Sequence, residues 1–294
     1  DMGWRTQNAT VGTGHAGTRG WTGYSWNRKL IKDPAKLIQD LKDDHVYVVL
    51  NEHPHDGLRP HDDAYPMFIR DLGADTLKNG VPLFDAGNPE YMKAFMKHAH
   101  QESDQMGVAF WWLDWQQDYL YPYVRGTSMR HLPWLNKIYY DYSARNNLRG
   151  AGFSRWAGWG DHRHPIQFSG DAVANWELLR FEIDLTTTSG NAGCFFWAHD
   201  LGGFYGGDDA ELYTRWTQFG LLNSSLRIHS VYDEKLDRRP WLWGDKEEEA
   251  MKRIYHLRSQ LMPYIYSSVH QCYEDMIPLN RGLYLEYPSD EKAY

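Results

Sequence analysis

The sequence predicts an α/β fold, a closed (β/α)8 barrel of parallel strands, on three observations. Short β-rich runs alternate with amphipathic helical stretches. The runs are almost continuously apolar, as strands covered on both faces of a parallel sheet must be. Each run ends in a polar residue (Asn51, Asp114, Arg155, Asp171, Asp200, His229), and a closed barrel gathers such ends at one rim, where barrel enzymes keep their chemistry.

The chain opens on DMGW, in which Asp1 reads as the end of a strand whose body would precede residue 1. The helical DPAKLIQDLKDD leads into the strand VYVVLNEHP (46–54). PEYMKAFMKHAHQESDQM, with Met92, Phe95, Met96 and Ala99 at helical spacing, leads into GVAFWWLD (107–114). Four more runs follow: RGAGFSRW (149–156), PIQFSGD (165–171), GCFFWAHD (193–200) and SLRIHS (225–230). ANWELLRFEIDLTTTSG and AELYTRWTQFGLLNSS supply helices between the later runs, and a long helix is expected over 245–275. Its acidic DKEEE start suits the positive end of a helix dipole better than a binding patch. Six strands are legible where a barrel needs eight, and an unclosed sheet would expose an edge. The expectation is therefore a barrel segment over 1–285, lacking its first strand or two and any flanking β domains, with 286–294 starting a following segment. The remainder of a longer chain is an expected partner.

The competing doubly wound nucleotide fold lacks its signature. No G-x-G-x-x-G opens a helix after a first strand, no phosphate-binding G-x-x-x-x-G-K-[ST] occurs, and GHAGTRG (14–20) follows no strand. The balance of 39 acidic against 31 basic residues argues against nucleic acid as a partner. No window approaches the ~20 apolar residues of a membrane span. Cys194 and Cys272 lie far apart and are not expected to bridge. The 14 Trp and 20 Tyr are many, and several flank polar residues at the ends of apolar runs, as in a wet cleft.

FWWLDWQQD (110–118) carries the chemistry, because it sets the carboxylate of Asp114 in an apolar aromatic wall, where a charge is costly unless it is paired. Asp114, Asp171 and Asp200 all end strands. Two carboxyl groups across a small pocket can cleave a glycosidic bond, with retention at a separation of about 5–5.5 Å and with inversion at about 6.5–9.5 Å. Sequence alone leaves that choice open.

The segments WWLDWQQ, SRWAG…HPIQFSGDAVANWE, WAHDLGGF and LRIHS, in this order, resemble the barrel of glycoside hydrolase family 31, from Asp1 to about residue 285. The resemblance implies a (β/α)8 TIM barrel and a retaining, exo-acting α-glycosidase, α-glucosidase-like, that needs no cofactor. It implies Asp114 as nucleophile and Asp171 as general acid/base, so that Asp171 must hold its proton above the ~3.9 of an ordinary aspartate. It also implies sugar contacts from Asp1, Arg155, Asp200 and His229. Trp112, Trp115, Trp156 and Phe168 would stack on sugar faces, at least two of them serving as core. Three departures from the family pattern stand out: Gly3 where a second acid is frequent, the amides Gln116 and Gln117 after the nucleophile, and only 57 residues from Asp114 to Asp171. Glucose, xylose, galactose and N-acetylgalactosamine all remain open as the sugar.

HPHDGLRPHDD (53–63) and DHRH (161–164) invite a metal reading, but no H-E-x-x-H or paired-Cys motif accompanies them. No metal is expected, and Asp56, Arg59, His61 and Asp63 are either pocket edge or solvated loop. Two other classes stay in view: a carbohydrate-binding module without turnover, and a metal-dependent hydrolase built on the histidine loops.

Overall fold

The computed structural model describes residues 2–6, 22–115, 117–118, 121–145, 149–155 and 158–294, which form two compact units, 1–164 and 165–294. Asp1, the 14–20 glycine stretch, Gln116 and Trp156 lie outside the described residues.

The first unit carries a parallel sheet of β1 (Val49–Glu52), β2 (Phe110–Leu113) and β3 (Phe153–Arg155). Helices α1 (Pro34–Asp43), α2 (Tyr65–Leu72), α3 (Thr76–Asn79), α4 (Pro89–Met106) and α5 (His131–Ser143) surround these strands in the chain. α4 starts at Pro89 because the Asn88 side chain accepts from the Glu90 and Tyr91 amides, and it stops where Gly107 turns left-handed. α2, α3 and α5 were not expected from the sequence.

The register decides which side chains share a face. Glu52 pairs with Leu113, and Leu113 with Ser154. Successive residues of a strand alternate faces, so Glu52 and Trp111 point one way, to His100 of α4. Asn51, Trp112 and Phe153 form a row on the other face, with the Trp112 and Phe153 rings 5.4 Å apart. One step further along that face come His53, Asp114 and Arg155.

The second unit contains β4 (Gln167–Phe168), α6 (Trp176–Ser189), α7 (Ala210–Gly220) and α8 (Asp245–Asp275). Asn175 and Asp209 cap α6 and α7, and Asp245, Glu247 and Glu248 fill the first turn of α8. The runs 193–200 and 225–230, expected as strands, pair only through single parallel bridges, Gln167 to Trp197 and Asp200 to Arg227. Gln167 exchanges good bonds with Phe196 and Ala198, but those from Leu201 to Arg227 and from Ser225 to Trp197 are stretched to 3.4 Å, so no continuous ladder forms. No described helix is long and apolar enough to cross a membrane, and Cys194 and Cys272 are not bridged to each other.

Candidate active site

Asp114 lies one residue past β2, its amide still bonded to the Glu52 carbonyl at 3.1 Å. Because the strands are in register, His53 past β1 and Arg155 ending β3 flank it at the same height. Arg155 Nε donates to Asp114 Oδ1 at 2.9 Å, and the Trp115 amide donates to the same oxygen at 2.8 Å. His53 Nε2 stands 3.5 Å from the other oxygen, Oδ2. Burial alone would raise the carboxyl's pKa. The hydrogen bond from His53, followed by the charge and hydrogen bond of Arg155, outweighs it and holds Asp114 well below the usual carboxylate range. That resolves the cost of a charge among tryptophans.

Arg5 explains the histidine. It is buried, with Nη1 on the Asn51 carbonyl and Nη2 on His53 Nδ1, each at 3.4 Å. A guanidinium only donates, so Nδ1 accepts and the ring proton sits on Nε2, aimed at Asp114. Burial favours the neutral form of His53 and outweighs Asp114's opposing pull. Burial also brings Arg5 down to about 10, which leaves it charged at neutral pH.

The turn after Asp114 is strained: Trp115 and Gln117 have φ of 63° and 64°, which costs side-chain-bearing residues energy and occurs where function demands it. Gln117 holds the turn, its amide nitrogen donating to the Asp114 carbonyl and its oxygen accepting from the His55 amide at 3.0 Å. The Trp115 ring stacks near parallel on His55 and meets His53 edge-on. His55 in turn lies 3.5 Å from Asp56, itself paired with Arg59.

In the second unit, Asp171 follows β4, and its Oδ2 accepts from the Tyr205 hydroxyl at 3.3 Å. The loop is braced by HDLGGFY. Phe204 and Tyr205 amides donate to the Ala172 carbonyl, and the Ala174 amide donates to the Tyr205 carbonyl. Gly203 permits this approach: at φ 82°, a Cβ there would lie 2.6 Å from the Ala174 Cα. Arg238 clamps the Gly202 and Gly203 carbonyls at 2.7 and 2.9 Å.

The remaining residues expected at the site fall into two sets. His229 is half-buried with its ring against Phe204, and Arg155 and Asp171 are partly accessible. Trp112 and Phe168 are buried, and the Arg227 guanidinium covers the Phe168 ring at 4.5 Å. Phe168 is thus packed in the interior with a cation over its ring. Asp200 is fully buried and hydrogen-bonded to Arg227, a structural pair in this fold. Sequence reasoning missed Arg5, Tyr205 and the pairing role of Arg227, and it did not separate His53 from its neighbouring histidines. Only the strand register, which sets position 53 opposite 114, distinguishes it. Among the described residues no cluster of three or more His, Cys, Asp or Glu is arranged to hold a metal ion.

The family model described as the glycosyl hydrolases family 31 TIM-barrel domain matches residues 10–268. A probable glucan 1,3-alpha-glucosidase of Arabidopsis thaliana is 36% identical over 135 residues, 46% of this chain and 14% of that protein. An alpha-xylosidase of Emericella nidulans is 30% identical over 161 residues, 54% of this chain and 20% of that protein. The matched stretch is thus a fifth or less of these relatives' lengths. The solved cycloalternan-degrading enzyme from Trueperella pyogenes shares the fold, with a TM-score of 0.75 at 20% identity over 89% of this chain and 42% of that one.

Proposed function

The chain belongs to glycosyl hydrolases family 31 and carries its TIM-barrel domain, and on that premise we propose that it is a retaining exo-α-glycosidase acting on terminal α-glucosides. The catalytic segment is taken as residues 1–285. The observation that carries the reading is the row His53–Asp114–Arg155, which keeps one carboxylate ionised in an aromatic wall.

Asp114 is the nucleophile. Two donors at 2.8 and 2.9 Å occupy Oδ1, whereas Oδ2 has only the longer 3.5 Å contact of His53, so Oδ2 is the oxygen that attacks the anomeric carbon as the bond to the leaving oxygen breaks. Asp171 gives its proton to that oxygen. The glycosyl ester neutralises Asp114, and Asp171, now a carboxylate receiving the Tyr205 hydroxyl, takes a proton from water as the water oxygen attacks the same carbon and the ester bond to Asp114 breaks. Each carboxylate then returns to its starting state. Asp1, Trp156, Arg155 and His229 contact the sugar, while Trp112 backs the wall and Asp200 acts through Arg227. Glucose is favoured because glucosidases stand among the relatives, and the Emericella nidulans enzyme makes xylose the second choice.

The test is hydrolysis of aryl α-glucoside, α-xyloside, α-galactoside and α-N-acetylgalactosaminide by the full-length protein, with Asp114→Ala and Asp171→Ala alongside. Cleavage of the glucoside, lost in both variants, supports the proposal. Cleavage of another member of the panel replaces the sugar and keeps the mechanism. Sugar binding without turnover in the wild type would make the protein a carbohydrate-binding module.

A further inference from the structure

Beneath the Asp171 loop lies a ring of buried polar groups, joined to the loop through the half-buried Ser169, that the mechanism above does not use. Glu182 is fully buried in α6. Its Oε1 is 2.7 Å from Ser169 Oγ, and its Oε2 accepts from Trp216 Nε1 of α7 at 2.8 Å. Ser169 Oγ is also 3.0 Å from His199 Nδ1, and His199 Nε2 is 2.8 Å from Thr186 Oγ1. The Thr186 hydroxyl is 2.6 Å from the main-chain oxygen of Glu182.

Counting hydrogens around this ring fixes the protonation states. A carbonyl oxygen only accepts, so Thr186 spends its one hydrogen on Glu182 O, and its Oγ1 must accept from His199 Nε2–H. The imidazole is neutral: burial, then the nearby Arg227 guanidinium, push it down to about 3. His199 Nδ1 is then a bare acceptor, and it takes the Ser169 hydrogen. Ser169 has no second hydrogen for Glu182, yet the oxygens are 2.7 Å apart. The hydrogen between them belongs to the carboxyl.

We propose that Glu182 is a neutral carboxylic acid that positions the Asp171 loop by donating to Ser169, two residues before Asp171, and that its ionisation reverses this hydrogen bond and rearranges the ring that supports the loop. The positioning role rests on the reading of Asp171 as acid/base. The groups facing Glu182 are Ser169, His199 and Thr186, with Trp216 from α7; His199 alone of these titrates, and at 3.6 Å it is a neutral neighbour rather than an ion-pair partner. Burial pushes Glu182 itself up to about 7, against the opposing bonds from Ser169 and Trp216. Ionisation would turn the Ser169 hydrogen towards Glu182, move the imidazole proton to Nδ1 and turn Thr186 away from the carbonyl.

Glu182→Gln tests this in the full-length protein, because a glutamine can donate to Ser169 and accept from Trp216 as the protonated acid does. Tm measured from pH 4 to 9 is expected to fall in the wild type as pH rises towards 7, and this fall is expected to be absent in Glu182→Gln. In kcat against pH on the hydrolysed aryl α-glycoside, the wild type is expected to lose about tenfold per pH unit above 7 from this group, and Glu182→Gln to lose that component. If Glu182→Gln folds poorly, carboxyl 13C NMR of Glu-labelled wild type, watched for one glutamate titrating near pH 7, serves in its place. A Glu182→Gln protein with an unchanged Tm slope, or no glutamate titrating above pH 6, overturns the assignment. A flattened Tm profile with an unchanged kcat profile overturns the positioning role. A flattened Tm profile in a protein that hydrolyses no glycoside upholds the neutral acid and removes the enzyme reading instead.

Discussion

Asp114 ends its strand among cations, with Arg155 at 2.9 Å and Arg5 behind His53. Asp171 follows its strand, beside a phenol at 3.3 Å and above a ring of groups whose hydrogen count makes them neutral. One aspartate is surrounded so that it stays ionised. The other accepts a hydrogen bond from the neutral Tyr205 hydroxyl. A retaining glycosidase needs this division, a permanent carboxylate to attack and an exchangeable proton to give and recover. In the proposed mechanism the same side chain serves both tasks.

Removing either carboxylate breaks the comparison outright. Asp114→Ala and Asp171→Ala are each expected to lower kcat by on the order of 10^4-fold, read on the hydrolysed aryl glycoside. Arg155→Met removes the direct cation and is expected to cost about 10^2-fold. It also shifts the acid limb of kcat/KM towards neutral pH. The sign follows from the depressed pKa of Asp114: its stabilising contribution is present above the ordinary carboxylate pKa and lost as pH falls through the folded value, so a weaker partner leaves less to lose and an earlier loss of the charged form.

Glu182 has the opposite sign. Its folded pKa is raised from 4.5 to about 7, so the folded state binds the extra proton. The associated stability is complete below the unfolded value and disappears as pH rises to about 7, a change of about 3 kcal/mol that Glu182→Gln should abolish in denaturant titrations. Gly203→Ala, which drives a Cβ into Ala174 at left-handed φ, is expected to cost about 1–3 kcal/mol and to lower kcat more than it raises KM. Tyr205→Phe removes one neutral hydrogen bond and is expected to cost no more than about tenfold in kcat.

Much of this was legible in the sequence where local pattern governs. α4 and α8 begin and end where capping residues, acidic first turns and helical spacing put them. Asp114 and Arg155 were legible as polar ends of apolar strands. The contact of Asp114 with His53 was not, because register is a property of paired strands. α6 is the sharpest failure of pattern. Its buried stripe is Leu179, Glu182 and Thr186, while Phe181 and Ile183 are exposed. Hydrophobicity alone would turn that helix over. Trp216 and Ser169, brought in by tertiary packing, satisfy the carboxyl and make its burial tolerable. Strand-like composition at 193–200 likewise promised a ladder that stretched hydrogen bonds reduce to bridges.

The division of labour is tested most directly by intact-mass spectrometry of Asp171→Ala during reaction with an aryl α-glucoside whose leaving group needs no proton. The account predicts a protein heavier by one glycosyl unit, with the sugar mapped by peptide digestion to Asp114, because attack proceeds while the base for the second step is missing. Continued turnover without an adduct, or an adduct on a different residue, would contradict it.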